Sequence, residues 1–248
     1  MSSSRSGQPD RGSGENTTSL RQRVERVRIF RALSGELHAR LAAHAHVVTL
    51  GEGDRLWRAG DRALHFTCIQ RGLVQIVKRT PRGGEALLGI FGPGECVGAV
   101  AVLRAAEYPA EAAALSPATE VLRIEAAPLL EALATDARLA ASMQSQLCEH
   151  IQALHVKIDV LSAGAVPARI AILFLHLAER FGDETEAGTT WVPVALSRAA
   201  VSNLVSARVE TVIRALSRWR QEGWFHERED GFEVDDLQRL RAISEETA

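Results

Sequence analysis

Between Arg208 and Arg218 the chain sets out five polar side chains, Arg208, Glu210, Thr211, Arg214 and Arg218, along a helical period. Residues four apart share one face of a helix, so Glu210, Arg214 and Arg218 project together. Guanidinium forks, a carboxylate and a hydroxyl on one face are groups suited to phosphates and base edges. An ordinary solvated helix face has the same composition, so the surrounding elements must decide between the two.

Leu196, Ala200, Val201 and Leu204 form one apolar block, and Val209, Val212, Ile213, Leu216 and Trp219 form a second. Ser197 stands where an N-cap opens the first helix, and Val205-Ser206-Ala207 leaves room only for a tight turn before the second. This predicts a helix-turn-helix, whose second helix enters the DNA major groove. Thr189 to Pro193 is a short β-prone run upstream. Gly223-Trp224-Phe225 ends the second helix, and F-H-E-R-E-D-G-F-E-V (225–234) reads as a hairpin around Asp230-Gly231. Strand, helix pair and hairpin together predict a winged helix-turn-helix.

The chain has 248 residues, 46% of them apolar, enough for one large or two ordinary domains with buried cores. A net charge of −2 gives no global sign of a polyanionic partner, but five arginines (198, 208, 214, 218, 220) stand against Glu210 and Glu222 between Leu196 and Trp224. A local basic face suits a site-specific binder better than a protein that coats DNA. Cys68, Cys96 and Cys148 lack C-x-x-C spacing. They suggest a reducing cytoplasm rather than a disulfide framework or a zinc finger, with Cys68 and Cys96 packed as small apolar residues. No apolar run approaches the roughly 20 residues that span a bilayer, and no signal-peptide pattern opens the chain. A cytoplasmic protein without a membrane partner is therefore expected. Residues 1–20, rich in Ser, Gly and Arg, are expected to lack structure.

From about 47 to 125 glycines punctuate the chain at Gly51, Gly60, Gly72, Gly83-Gly84 and Gly92/Gly94. Between and beyond them lie V-V-T-L, F-T-C-I, L-V-Q-I-V, A-L-L-G-I-F and E-V-L-R-I, which predict short strands of a sandwich, jelly roll or barrel. Its interior either holds a small ligand or is a packed core. Ser34 to Ala43 is expected to be a short helix with Leu37 and Leu41 on one face. From Asp136 to Ala163 there is neither Pro nor Gly, and Leu147, Ile151, Leu154, Ile158 and Leu161 repeat at spacings of 4, 3, 4, 3. That is a coiled-coil seam and predicts pairing with a second copy of the chain.

In this order the parts resemble the Crp/Fnr transcription regulators, over about residues 25–240. The resemblance rests on G-E-G-D-R-L-W-R-A-G-D (51–61), G-P-G-E-C-V-G (92–98), A-R-I-A (168–171) and above all V-E-T-V-I-R (209–214). It implies an α+β fold: a disordered tail (1–20), a jelly-roll-like β-roll sensor domain (21–135), a dimerisation helix (136–163) and a C-terminal winged helix-turn-helix (164–248). It also implies a homodimer on a palindromic site in double-stranded DNA with a T-G-A-like core, and RNA polymerase as a further partner. Glu210 would accept from a cytosine N4, Arg214 would fork onto guanine O6 and N7, and Ser197 and Arg198 would hold phosphates. Val209 matches the Fnr-like branch of the family, whereas Ile213 departs from its serine.

The sensor half departs further. In members that bind cyclic AMP, the Glu of a G-E-L holds the ribose and an R-S/T pair clamps the phosphate; here Gly98-Ala99-Val100, Pro109 and Ala110 occupy those positions. Cyclic AMP is not expected, and the N-terminal tail has no cysteine for an iron–sulfur cluster. Leu154 and His155 on the long helix would complete a pocket for an apolar or aromatic effector, or for a haem with an axial histidine. His44-x-His46 lacks a third metal ligand. The common catalytic motifs are absent from the sequence, so an enzyme is not expected. The competing reading is a sensor or protein-interaction module with a degenerate winged helix.

Overall fold

The computed structural model describes residues 17–79, 85–116 and 118–245, apart from the side chains at 17–18, 85–86, 149–150 and 152–158. The Gly83-Gly84 turn and residues 1–16 lie outside the described residues. Helix α1 (Thr17–Arg26) overturns the expectation of a structureless tail for residues 17–20. Composition hid its period: Leu20, Val24 and Val27 fall one helical turn apart, Val24 and Val27 are fully buried, and Arg21 pairs with Glu25 at 2.9 Å. A 3-10 turn (Arg28–Phe30) leads into α2 (Gly35–Ala43), where Ser34 Oγ accepts from the Leu37 amide at 3.3 Å as N-cap.

The β-roll follows as β1 (Ala45–Leu50), β2 (Arg55–Trp57), β3 (His65–Arg71), β4 (Val74–Arg79), β5 (Glu85–Phe91), β6 (Cys96–Val97), β7 (Glu111–Ala114) and β8 (Thr119–Glu125). Helix α3 (Ala99–Leu103) lies between β6 and β7. The strands make two antiparallel sheets, ordered β1-β8-β3-β6 and β2-β7-β4-β5. Between them Ile69, Val74, Val97, Ala112 and Val121 pack part of the interior. The far face of the first sheet buries Phe66, Cys68, Leu122 and Ile124 under α1, α2, α4 (Ala126–Thr135) and the start of α5.

Helix α5 (Ala137–Ser162) opens on Asp136, whose carboxylate accepts from the amides of Arg138 (2.9 Å) and Leu139 (3.1 Å). Then come α6 (Val166–Phe181), β9 (Asp183–Glu184), β10 (Thr190–Val192), α7 (Arg198–Leu204), α8 (Val209–Gln221), β11 (Phe225–Glu227), β12 (Phe232–Val234) and α9 (Leu237–Glu245). The wing sheet is ordered β11-β12-β10-β9. Phe174 of α6 stacks on Phe225 (5.3 Å) and Phe232 (4.7 Å), tying the wing to the helices. Gly231 is required for close approach: a Cβ there would stand 2.2 Å from the Val192 carbonyl oxygen.

The two halves pack directly on each other. Arg180 of α6 donates to both carboxylate oxygens of Glu95 (2.6 and 2.7 Å) and to the Ile90 carbonyl (3.1 Å). Phe181 lies so close to Gly92 that a Cβ would sit 2.4 Å from its ring.

Candidate nucleic-acid interface and sensor cavity

The sequence of α7 and α8 sets their packing. Ser197 Oγ accepts from the Ala200 amide at 3.1 Å and starts α7. Ser206 takes φ +49°, and the Ala207 amide donates to the Ser202 carbonyl at 3.0 Å, which closes the turn in three residues. Arg169 of α6 fastens this turn to the hinge after α5, donating to the carbonyls of Ala163 (2.7 Å), Gly164 (3.3 Å) and Val205 (3.4 Å). Helix α8 buries Val212, Ala215, Leu216 and Trp219.

Ile213 does not join that stripe as the sequence suggested. At about 100° per residue it is carried off the buried face, and it stands 43% exposed next to Arg214. The outward face is therefore Glu210, Ile213, Arg214 and Arg218, all exposed, with Val209 and Thr211 half-buried beside it. Glu210 lies in the first turn, where the helix dipole favours a carboxylate. Arg208 precedes α8 as its N-cap residue, exposed and without a side-chain capping bond. Arg218 Nε donates to Glu222 Oε1 at 2.7 Å, and bonds from Trp224 Nε1 and from Arg218 hold the Glu222 carboxyl below the usual carboxylate range.

Arg198 is differently placed from what a free phosphate ligand would require. Nη1 and Nη2 donate to the two oxygens of Glu227 on β11, and each side chain is only 30% exposed. No local pattern pointed to this partner, which stands 29 residues away on the wing.

A cavity of about 510 Å³ lies where the roll meets α5, α6 and α7. It gathers the five sensor-domain candidates, Gly98, Ala99, Val100, Pro109 and Ala110. Trp57 and Tyr108, stacked at 4.1 Å, form part of one wall; Leu147 and Val160 of α5, His176 of α6 and Leu204 of α7 contribute others. Leu154 and His155 fall among the side chains outside the description. Pro109 and Ala110 bring no guanidinium to the cavity, but Arg104 and Arg180 also line it. Arg180 is committed to Glu95, and its Nη1 lies 3.3 Å from His176 Nε2. Burial, and then Arg180, lowers the His176 pKa to about 4, so the ring is neutral at pH 7 and accepts that bond.

His44 and His46, read as a potential chelating pair, are turned to different partners. His44 faces Glu125 (3.2 Å), and His46 packs edge-on against His65 (5.4 Å). Among the described residues no three His, Cys, Asp or Glu side chains cluster as metal ligands, and no helix is long and apolar enough to cross a membrane.

Residues 47–136 match the family model for the cyclic nucleotide-binding domain, and residues 168–243 match that for the Crp-like helix-turn-helix domain. Over 217 residues the chain is 26% identical to the CRP-like cAMP-activated global transcriptional regulator of Mycobacterium tuberculosis, covering 88% of this chain and 96% of that one. It is 27% identical over 174 residues to the transcriptional activator protein anr of Pseudomonas aeruginosa, covering 70% of each. The fold matches that of FixK2 from Bradyrhizobium japonicum with a TM-score of 0.70 at 19% identity, over 82% of this chain and 99% of the other. The two family models sit in the order of the two halves of the fold, and the mycobacterial alignment runs through both. The chain belongs to the Crp/Fnr family of DNA-binding transcription regulators.

Proposed function

We propose that this regulator binds a palindromic DNA site as a homodimer paired through α5, and that an effector occupying the cavity sets its affinity. The observation that carries the reading is the outward face of α8. Glu210 and Arg214 stand free of ion pairs among the described residues and one helical turn apart, facing away from the core. That geometry lets Glu210 accept from a cytosine N4 while Arg214 forks onto the guanine of a neighbouring pair. Exposed Ile213 beside them supplies an apolar contact for a thymine methyl, which suits a T-G-A-like half-site. Arg208 and Ser197 are at hand for phosphates.

Dimerisation is supported by α5. Ile151 is 51% exposed and Leu161 40% exposed, at positions of the heptad-like stripe, and apolar side chains this open on a long helix call for a partner helix. A dimer axis then sets two copies of α8 about 34 Å apart, one turn of DNA. RNA polymerase is the further partner that this reading implies.

The name of the mycobacterial relative states activation by cAMP, and that does not transfer at the level of residues. Ala99 and Ala110 offer no polar side chain, and Pro109 lacks even an amide donor. The apolar walls favour a largely uncharged effector, with Arg104 as the cation available to an acidic group. The Nε2 of His176 is engaged by Arg180, which counts against this ring as a haem ligand.

The test is selection from a random DNA pool, followed by salt titration of the winning site. The expected result is one two-fold-symmetric sequence whose affinity falls steeply with salt. Absence of DNA affinity at every salt concentration would overturn the reading in favour of a sensor module with a degenerate winged helix.

A further inference from the structure

Cys68 on β3 and Cys96 on β6 occupy directly paired positions of the antiparallel ladder, and their Sγ atoms are 2.7 Å apart as free thiols. Sequence spacing gave no reason to join them, since 28 residues separate the two. Both are buried, yet their surroundings differ. Cys68 is fully enclosed by the core under α1, α2 and α5. Cys96 shares that core but also forms part of the cavity wall. A small solute that enters the cavity therefore meets Cys96 and not Cys68.

We propose that Cys68 and Cys96 form a reversible redox site, in which a hydroperoxide entering the cavity oxidises Cys96 and Cys68 then closes a cross-strand disulfide. In the first step the Cys96 sulfur attacks the O–O bond of ROOH, giving Cys96–SOH and ROH. In the second the Cys68 sulfur displaces the hydroxyl, the Cys68 proton leaves with it as water, and the S–S bond forms. The two thiols lose two electrons in all, and the peroxide takes them. Closing the bond to about 2.05 Å needs only a short movement of two side chains already in register, so the strands stay paired. Burial pushes the Cys68 thiol well above its ordinary range, which holds it protonated and reserves it for the second, intramolecular step. The exposed Cys148 lies outside this pair and has no partner cysteine in the chain.

The site is also mechanically connected. Glu95, the residue before Cys96, holds Arg180 of α6 across the domain junction. Oxidation therefore fixes the strand from which the roll grips the DNA-binding half.

The experiment uses the full chain carrying Cys148→Ser, to remove intermolecular disulfides. Folded protein is treated with hydrogen peroxide, denatured, alkylated with a maleimide and digested without reductant. The expected product is a peptide pair joined through Cys68 and Cys96, 2 mass units lighter than the two free peptides, with both thiols lost together and both regained after dithiothreitol. In Cys68→Ser the expected outcome is Cys96 advancing to sulfinic acid, because nothing resolves the sulfenic acid. In Cys96→Ser, Cys68 should stay a free thiol at the same peroxide dose. Circular dichroism of each variant before treatment establishes that the reaction is read on folded protein. The proposal is overturned if Cys68 and Cys96 both remain alkylatable, if they acquire oxygen independently with no linked peptide, or if Cys68 is oxidised as readily without Cys96.

Discussion

Removing the Glu227 carboxylate should tighten DNA binding on every sequence. Arg198 stands at the first turn of α7 beside the capping Ser197, where family resemblance puts a phosphate, yet its guanidinium is spent on Glu227 of the wing. Using Arg198 for DNA then requires breaking that pair. Exposed ion pairs contribute about 0.2–1 kcal/mol, and hydrogen bonds to charged groups about 1.5–3 kcal/mol. With both side chains 30% exposed and both guanidinium nitrogens engaged, an intermediate figure of about 1–2 kcal/mol is appropriate. Glu227→Gln keeps the side chain's size and one acceptor but gives up the charge. It should improve affinity about 5–30-fold, a factor of ten being about 1.4 kcal/mol.

If the pair instead stays closed on DNA in the unsubstituted protein, the freed arginine adds one phosphate contact. That should steepen the slope of log K against log salt by about 0.9, or about 3.5-fold more affinity lost between 50 and 200 mM. Fluorescence anisotropy over a salt series on the preferred site and on a scrambled duplex reads both quantities. Arg198→Ala should cancel the gain, so that the double variant binds like Arg198→Ala alone. The reasoning is refuted if Glu227→Gln leaves affinity and slope unchanged, because Arg198 would then serve the DNA from within its ion pair. A gain confined to the preferred site would refute it differently, by making Glu227 a reader of bases.

Arg214→Ala should cost about 1–3 kcal/mol on the preferred site and flatten discrimination at one guanine, and an unchanged base preference in pool selection would reduce Arg214 to a solvated side chain. Ile151→Asp with Leu161→Asp places charges on the exposed stripe of α5 and should yield monomers in sedimentation; a full dimer would put the interface elsewhere. Cyclic AMP at millimolar concentration should leave the melting temperature unchanged, whereas binding at 100 times Kd would stabilise the fold by about 2.7 kcal/mol; a shift that Arg104→Ala abolishes would mean that the cavity had rebuilt its phosphate clamp around that residue. Stability should fall as pH drops from 6.5 toward 4. Burial and then Arg123 hold His65 at about 4 and lower His46, and burial and then Arg180 hold His176 at about 4, so the unfolded chain binds more protons across that window. Urea midpoints against pH should flatten in His65→Gln and His176→Gln, and an unaltered slope in both would rule these rings out as the cause.

The elements that advertise themselves in the sequence are those whose local signals agree with their surroundings. Ser34 and Ser197 both cap as their position before an apolar period suggested. The β-prone runs became β1, β3, β4, β5 and β8. Strand β7 was invisible because Glu111 and three alanines have little β propensity; it is held by neighbours on both sides, with Ala112 and Ala114 buried. Helix α1 was masked by its polar composition. The Asp230-Gly231 signal located the hairpin for a reason the turn rule does not contain. Gly231 is absent from the residues with positive φ, and its missing Cβ makes room for the Val192 carbonyl instead. At the site, the outward charged residues of α8, Glu210, Arg214 and Arg218, were legible from their spacing, whereas Ile213 was not, since it reads as part of the apolar stripe. The Arg198–Glu227 pair, the Arg180–Glu95 pair and the Cys68–Cys96 contact were not, since each joins residues that only the tertiary fold brings together.

The same long-range contacts offer the proposed effector cavity a route to DNA affinity. Helix α6 is fixed at both ends to parts with different duties. Near its start Arg169 grips the Ala163 and Gly164 carbonyls of the hinge and the Val205 carbonyl of the turn before α8. Near its end Arg180 grips Glu95 and Ile90 of the roll, with His176 one turn earlier lining the cavity. Phe181 against Gly92 leaves no slack at that junction. A close-packed contact of this kind gives way in discrete steps rather than by gradual compression. A molecule that fills the cavity therefore either fits the existing wall or shifts α6 as a unit, and a shifted α6 carries the Arg169 anchor and the turn before α8 with it. Differential affinity for those two arrangements is what an effector needs in order to change DNA binding.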